Sequence, residues 1–188
     1  MTTYTQLLAD VQSWSARTDI ADQIPTMVGL FENRVNRSLR TRQMESAFTG
    51  TTAANVLALP AGYLEYKDLF AVGYERQPVK PQTLEAVKAC TTGIPTIYAI
   101  DGTNVRFDGN GSIEGRVYTK VPALVTNETN WLCTLAYDVY LFGTLAEVAD
   151  YMKDTDSFTR NYERSKAILA DIQNDDDRRK GPLVAVRR

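Results

Sequence analysis

Histidine is absent from the 188-residue sequence. Its absence excludes Ser-His-Asp and Cys-His catalysis, zinc sites that use histidine, and haem with a proximal histidine ligand. The glycine motifs that hold phosphates or present a nucleophilic serine are also missing. We therefore expect that the protein is not an enzyme, and we predict no catalytic, metal-binding or cofactor-binding residues and no cofactor.

Cysteine is scarce, with Cys90 and Cys133 as the two thiols of the chain. Two cysteines are too few for a zinc ribbon or a disulfide framework. Each lies among apolar neighbours in the sequence, where a buried thiol packs as a small hydrophobe. We interpret both as reduced, buried and inert.

Long apolar runs are also absent. The most apolar stretch, 131–149, contains Asp138 and Glu147, so no segment provides the roughly 18 consecutive apolar residues that a bilayer span needs. The first residues show no basic segment followed by an apolar one, which predicts no signal peptide. We expect synthesis in a reducing cytoplasm and no membrane partner.

Neither sign of charge dominates, since 21 Lys and Arg residues face 23 Asp and Glu residues, for a net charge of −2. This balance argues against a wholly basic surface for nucleic acid but permits a local basic patch. The ten tyrosines are not interleaved with basic residues, as a groove for single strands would require. Core and subunit-interface packing is the better interpretation of these aromatics.

Helical periodicity predicts two N-terminal helices, over 3–14 and 24–40, the second with Pro25 in its first turn. The polar side of the second helix bears a basic stripe. We interpret the stripe as a solvated face, and contact with a polyanion is the alternative. Its residues are Arg34, Arg37, Arg40 and Arg42.

The middle of the chain, 48–127, has β-favouring residues separated by Gly, Pro and Asn, and predicts a β-rich region. Pro81 predicts the first turn of a short helix that ends near Cys90. Three later segments joined by glycine-containing turns predict an antiparallel meander. These segments are 97–100, 105–107 and 115–121.

Two features of the sequence resemble reactive sites. The turn at 108–111 superficially resembles a calcium loop, but Arg106 and Val117 stand where the ion needs carboxylates, which favours a β-turn. Five carboxylates lie along the central helix and just after it, and the functional interpretation is that two of them act as a paired acid and base. We favour the structural interpretation, in which water and nearby cations neutralise these carboxylates. These carboxylates are Asp138, Glu147, Asp150, Asp154 and Asp156.

From Asn130 the helical period returns and predicts a central buried helix over 130–149, then a final helix over 156–174. The fold class is therefore α+β. A bundle of about four helices, from 1–47 and 128–174, is interrupted by a small inserted antiparallel β domain. An extended C-terminal tail, 175–188, completes the prediction.

The tail changes from acidic to basic and then to a β-compatible apolar stretch after Gly181-Pro182. A partner that paired with it as a strand would bury these side chains, and a disordered terminus is the alternative. The candidate partner-binding residues are Arg178, Arg179, Lys180, Pro182, Leu183, Val184, Val186, Arg187 and Arg188.

Three segments, taken in order, bear a resemblance to a known family. They are Leu-Pro-Ala-Gly-Tyr-Leu at 59–64, Gly-Ile-Pro-Thr-Ile-Tyr-Ala-Ile-Asp-Gly at 93–102, and Asn-Trp-Leu at 130–132 followed by Leu-Phe-Gly-Thr-Leu-Ala-Glu at 141–147. Each is a packing or turn pattern, and their joint order resembles the head-to-tail adaptor (connector or neck) proteins of tailed bacteriophages, related to tail tubular protein A.

This resemblance implies a structural virion protein made in the cytoplasm of the host bacterium. It implies a ring of about twelve identical subunits that docks under the portal protein, completes the head and binds the tail or nozzle protein below. Packaged DNA would leave through the ring without sequence recognition, and the C-terminal tail would bind the portal. The alternative is a nucleic-acid or regulatory binding module that uses the basic stripe.

Overall fold

The computed structural model describes residues 3–73, 75–90 and 93–179. Within these residues the fold is α+β, with six α-helices and two four-stranded sheets. The chain divides into two compact units. A helical unit contains the residues up to Gln43 and those from Val121 onward, and a β unit spans Met44–Lys120.

Both predicted N-terminal helices are present. Helix α1, Tyr4–Ser15, begins after Thr3, whose hydroxyl accepts a hydrogen bond from a backbone N–H of the first turn. Helix α2, Ile24–Ser38, has Pro25 in its first turn, where a missing N–H is harmless. Local sequence signals are therefore sufficient to position these two helices.

The described part of the β unit contains eight strands and one helix. In chain order these are β1 Glu45–Thr51, β2 Val56–Ala58, β3 Tyr63–Val72, β4 Arg76–Pro78, β5 Lys80–Pro81, α3 Leu84–Ala89, β6 Ile97–Asp101, β7 Asn104–Phe107 and β8 Ser112–Thr119. One sheet has the order β1-β8-β3-β4 and the other β2-β7-β6-β5. The buried side chains of both sheets form a single core that includes Phe48, Leu69, Phe107 and Val117.

The predicted meander is wrong. Strands β6 and β7 pair as a hairpin, but β8 lies in the other sheet, antiparallel to both β1 and β3. Strand β8 has eight residues, and β1 and β3, with seven and ten residues, are long enough to pair with nearly all of its backbone groups. The four residues of β7 would leave half of β8 unpaired.

The two prolines Pro78 and Pro81 lie in β4 and β5, which are edge strands. An edge strand tolerates a missing N–H because one side of it has no neighbouring strand. Helix α3 begins at Leu84, later than the predicted Pro81, because the Thr83 hydroxyl caps it and Pro81 pairs in β5.

Cys90, predicted to be buried, is exposed. The reason is that α3 is a six-residue surface helix whose one buried residue is Val87.

In the turn at 108–111, which resembles a calcium loop, the Asp108 carboxylate has a structural role. Asp108 is buried and accepts hydrogen bonds from the backbone N–H groups of Thr96 and Ile97, at 2.8 and 3.1 Å, and from the Thr96 hydroxyl. These bonds fix the start of β6 against the end of β7. The carboxylate therefore anchors the hairpin.

The predicted helix over 130–149 is two helices. Helix α4, Trp131–Leu135, is capped by the Asn130 side chain, and α5, Tyr137–Tyr151, follows after a break at Ala136, whose φ and ψ are −147° and 78°. Ten residues of α5 are buried, so the prediction of an apolar central helix is confirmed.

Helix α6, Thr155–Arg179, is longer than predicted at its C-terminal end. Residues 175–179, predicted as extended, are helical because Asp176 is held by Arg42 and Asp175 pairs with Arg179 one turn later. The rest of the predicted tail, 180–188, lies outside the described residues.

Helix α5 is the centre of the helical unit and packs against α1, α2, α4 and α6. On the side of α5 that faces α2, Gly143 lies against the Phe31 ring, and a Cβ atom at residue 143 would overlap that ring. The Phe31 and Tyr140 rings meet edge to face with centroids 5.3 Å apart. A larger residue at 143 would force the two helices apart.

A buried polar network holds the segment 121–124 against α2. The Asn36 and Glu32 side chains accept hydrogen bonds from the backbone N–H groups of Val121 and Leu124, at 2.9 and 2.8 Å. The Tyr140 hydroxyl donates to Glu32 at 3.3 Å. Burial raises the pKa of Glu32 above its ordinary value of 4.5.

Glu32 should therefore make stability depend on pH. Because its pKa is raised in the folded state, its contribution is fully present below pH 4.5 and is lost as the pH rises through the raised value. Glu32→Gln retains an acceptor without the charge, so the variant should lose less stability than the parent between pH 4 and 8 in urea unfolding.

Glu32→Ala is the matched control because it leaves the Leu124 N–H and the Tyr140 hydroxyl without their acceptor. We expect it to lower the free energy of unfolding by about 1–3 kcal/mol at acidic as well as neutral pH. An unchanged pH dependence in Glu32→Gln would show that ionisation of Glu32 does not limit stability.

Candidate functional site

The described residues contain no group of three or more His, Cys, Asp or Glu side chains that could hold a metal ion. In the same residues, no helix combines the length and apolarity that crossing a bilayer requires. The features with functional potential here are three surfaces of the helical unit and the C-terminal end of α6.

The basic stripe predicted on α2 is divided among separate partners. Arg34 pairs with Glu147 of α5, with Nη2 and Oε1 2.6 Å apart, and its guanidinium lies 5.0 Å from the centroid of the Tyr162 ring. Arg40 donates to the carbonyl oxygens of Asn36 and Leu39, which closes the C-terminal end of α2. The stripe is therefore not one continuous cationic surface.

Arg42 binds the far end of α6. Its Nε donates to the Asp176 carboxylate at 2.9 Å, and its backbone N–H donates to the same carboxylate at 3.2 Å. The Asp176 side chain is only 4% exposed. Arg37 and Arg42 are both exposed, and Arg37 forms no ion pair among the described residues. The sequence did not predict the pairs Arg34–Glu147 and Arg42–Asp176, because each acid is more than 100 residues from its arginine in the chain.

The pair of Arg34 and Glu147 is largely buried, with side chains 27% and 8% exposed. Burial raises the pKa of Glu147 above its ordinary value, and the positive charge of Arg34 offsets only part of this increase. The Nη1 atom of Arg34 is buried without a hydrogen-bond partner among the described residues. The ion pair therefore joins α2 to α5 but leaves one terminal NH2 group of the guanidinium without an acceptor among the described residues.

A groove of about 330 Å³ lies between α2 and α6, and we call it the α2–α6 groove. Its apolar part is formed by Leu39, Tyr162 and Leu169. Among the described residues its charged side chains are Arg34 and Lys166, and none that line it is acidic. The groove is therefore apolar and cationic.

A second groove of about 250 Å³ lies between the end of α4 and the other side of α6, and we call it the α4–α6 groove. Its larger apolar residues are Leu135, Ile168 and Ile172, and Leu135 is 57% exposed. Of the described residues, three acidic side chains and two arginines line it, an excess of one negative charge. These charged residues are Asp171, Asp175, Asp176, Arg42 and Arg179.

The third surface is a cavity of about 380 Å³ beside Trp14. Trp14 lies in the last turn of α1, and its side chain is 61% exposed. Its ring meets Phe142 edge to face, and the Arg164 guanidinium lies 5.2 Å from the centroid of the Phe142 ring. An exposed tryptophan beside arginine is typical of binding hot spots.

The predicted partner-binding residues of the tail lie mainly outside the described residues. Arg178 and Arg179 form part of the last turn of α6, where Arg179 pairs with Asp175 at 2.7 Å. The others are outside the described residues: Lys180, Pro182, Leu183, Val184, Val186, Arg187 and Arg188. Helix α6 therefore brings the start of the basic segment to the end of the helical unit.

Arg34→Met should lower the free energy of unfolding by about 3 kcal/mol at pH 7, because it leaves the buried Glu147 carboxylate without its cation. Burial raises the pKa of Glu147, so its protonation at pH 4 should make the loss smaller there. Arg37→Met, one turn away and exposed, should change stability by less than about 0.5 kcal/mol. Urea unfolding at both pH values measures these effects, and equal losses for the two variants would contradict this role of the ion pair.

The chain matches the SU10 adaptor protein family over residues 2–186 and belongs to that family. A search of curated proteins gave no match. The family match supports the predicted phage head-to-tail adaptor, a structural component of the virion. The finer likeness to tail tubular protein A stays a prediction.

Proposed function

We propose that this protein is a non-enzymatic adaptor that assembles as a ring beneath the portal, completes the head and provides the attachment site for the tail or nozzle protein. The observation that carries the proposal is the family match over residues 2–186. The ring would number about twelve subunits, as in the adaptors that the sequence resembles.

The surfaces of the helical unit are consistent with a subunit that has several neighbours. Trp14, Tyr151 and Met152 are large apolar side chains with exposed fractions of 61%, 57% and 37%. Such residues are enriched in protein interfaces, and an isolated protein gains nothing from presenting them to water. Partner subunits would cover them in the assembled neck.

A channel for ejected DNA should not bind its cargo tightly. The near-neutral net charge of −2 supports this property, and three of the four stripe arginines are engaged by other groups of the helical unit. A binding module would need these cations free to neutralise phosphates. Passage of DNA without recognition is therefore the better interpretation than the nucleic-acid-binding alternative.

The C-terminal segment is proposed to dock on the portal. Helix α6 ends with Arg178 and Arg179, and Lys180 continues the basic run that would meet acidic groups of the portal. Leu183, Val184 and Val186 follow in the sequence and supply apolar side chains for a groove or sheet edge. Repetition of this contact in every subunit would strengthen docking through avidity.

The state of assembly in solution tests the proposed ring. We expect a monomer when the protein is purified alone, because an adaptor must wait for the portal, and a ring when the portal is supplied. Mass photometry of the protein with and without portal particles distinguishes the two states. A stable dimer under both conditions would overturn the proposal.

Truncation after Arg179 tests the role of the tail. The truncation leaves α6 and the Arg179–Asp175 pair intact, so the melting temperature should be nearly unchanged while docking on portal-bearing heads is lost. A full-length variant with Arg37→Met is the control and should dock normally. Normal occupancy of heads by the truncated protein would place the portal contact elsewhere.

A further inference from the structure

We propose that the α2–α6 groove of one copy receives the Leu135 side chain and the acidic rim of the α4–α6 groove of the next copy. This lateral contact rests on the proposed ring and specifies which two surfaces of the chain meet. The partner is a second copy of this chain, and the two surfaces are different.

The reason lies in the unusual arrangement of α6. Its buried residues are polar, namely Asn161, Ser165 and Asp176. At about 100° per residue, Tyr162 and Leu169 lie to one side of this polar line and Ile168 to the other. These three apolar side chains are only partly buried in the subunit. The helix therefore presents an incompletely covered apolar strip on each side.

The charges of the two sides are complementary. Lys166 lines the α2–α6 groove and lies 3.8 Å from the exposed Glu163. Arg34 lines the same groove but is already paired with Glu147, so Lys166 is the cation that the groove offers to a second copy. The α4–α6 groove has a net negative charge, and its Asp171 is not part of an ion pair among the described residues. Opposite charges beside apolar surface favour one register and disfavour contact of either groove with its own copy.

The shapes also agree with contact between two different surfaces. Leu135 is 57% exposed at the end of α4, beside the acidic residues of its groove. The α2–α6 groove offers Leu39, Tyr162 and Leu169 as an apolar site for such a side chain. Contact between two different surfaces of identical chains continues from copy to copy and closes as a ring when the rotation permits, whereas contact of one surface with itself stops at a dimer.

Charge exchange tests the contact in full-length protein assembled on the portal. Lys166→Glu and Asp171→Lys should each reduce the yield of rings roughly tenfold, because each places like charges across every lateral contact. The double variant exchanges the signs on both sides and should restore the yield to within about twofold of the parent. Asn174 is exposed on the outer side of α6, so Asn174→Glu and Asn174→Lys are matched controls that should assemble normally.

Cross-linking tests the pairing of surfaces without relying on charge. In a Cys90→Ser background, Leu135→Cys subunits and Leu169→Cys subunits should form disulfides when mixed in one ring. Neither variant alone should form them, and the remaining thiol of Cys133 is fully buried. Thermal unfolding confirms that each variant is folded before assembly.

The outcomes separate this inference from the proposed function. If the parent protein forms no ring with the portal, the ring itself is overturned, and this contact with it. If the parent forms rings and the charge variants behave like the Asn174 controls, the ring stands and the lateral contact lies elsewhere. Disulfides between two Leu135→Cys subunits would also overturn the proposed contact, because they require that surface to meet itself.

Discussion

The close packing of α2 against α5 is the constraint on which the helical unit depends. Gly143 brings α5 onto the Phe31 ring, with no room for a Cβ atom between them. In this packing Arg34 pairs with Glu147 and the Tyr140 hydroxyl donates to Glu32. Apolar packing thus places the buried charged and polar groups within reach of their partners. These partners are needed because burying an unpaired polar group costs free energy.

Helix α6 departs from the usual amphipathic pattern, and this departure is the basis of the proposed lateral contact. A helix whose apolar stripe faces the core leaves a polar surface to water. Here the inward line is polar, and half-buried apolar side chains such as Tyr162 and Ile168 flank it. Hydrogen bonds from Arg40 and Arg42 to Gln173 and Asp176 fix α6 in the helical unit, and part of its apolar area stays exposed.

Much of the fold could be predicted from local signals, and several of the failures depend on residues distant in the chain. The bounds of α1 and α2 follow from periodicity and capping residues that lie within a few positions of each other. The sheet position of β8 depends on the lengths of strands far away in the chain, and the extension of α6 depends on Arg42. The ion pairs of Arg34 and Arg42 could not be predicted either, because Glu147 and Asp176 lie on other helices.

The helical unit is discontinuous in sequence, and this has a consequence for the order in which the protein folds. A ribosome completes the β unit, Met44–Lys120, before it synthesises α5. The apolar side of α2, with Phe31 at its centre, is already made and must remain uncovered until then. The nascent chain therefore passes through a stage in which one unit is finished and the other is half made, when contacts between neighbouring growing chains are the main hazard.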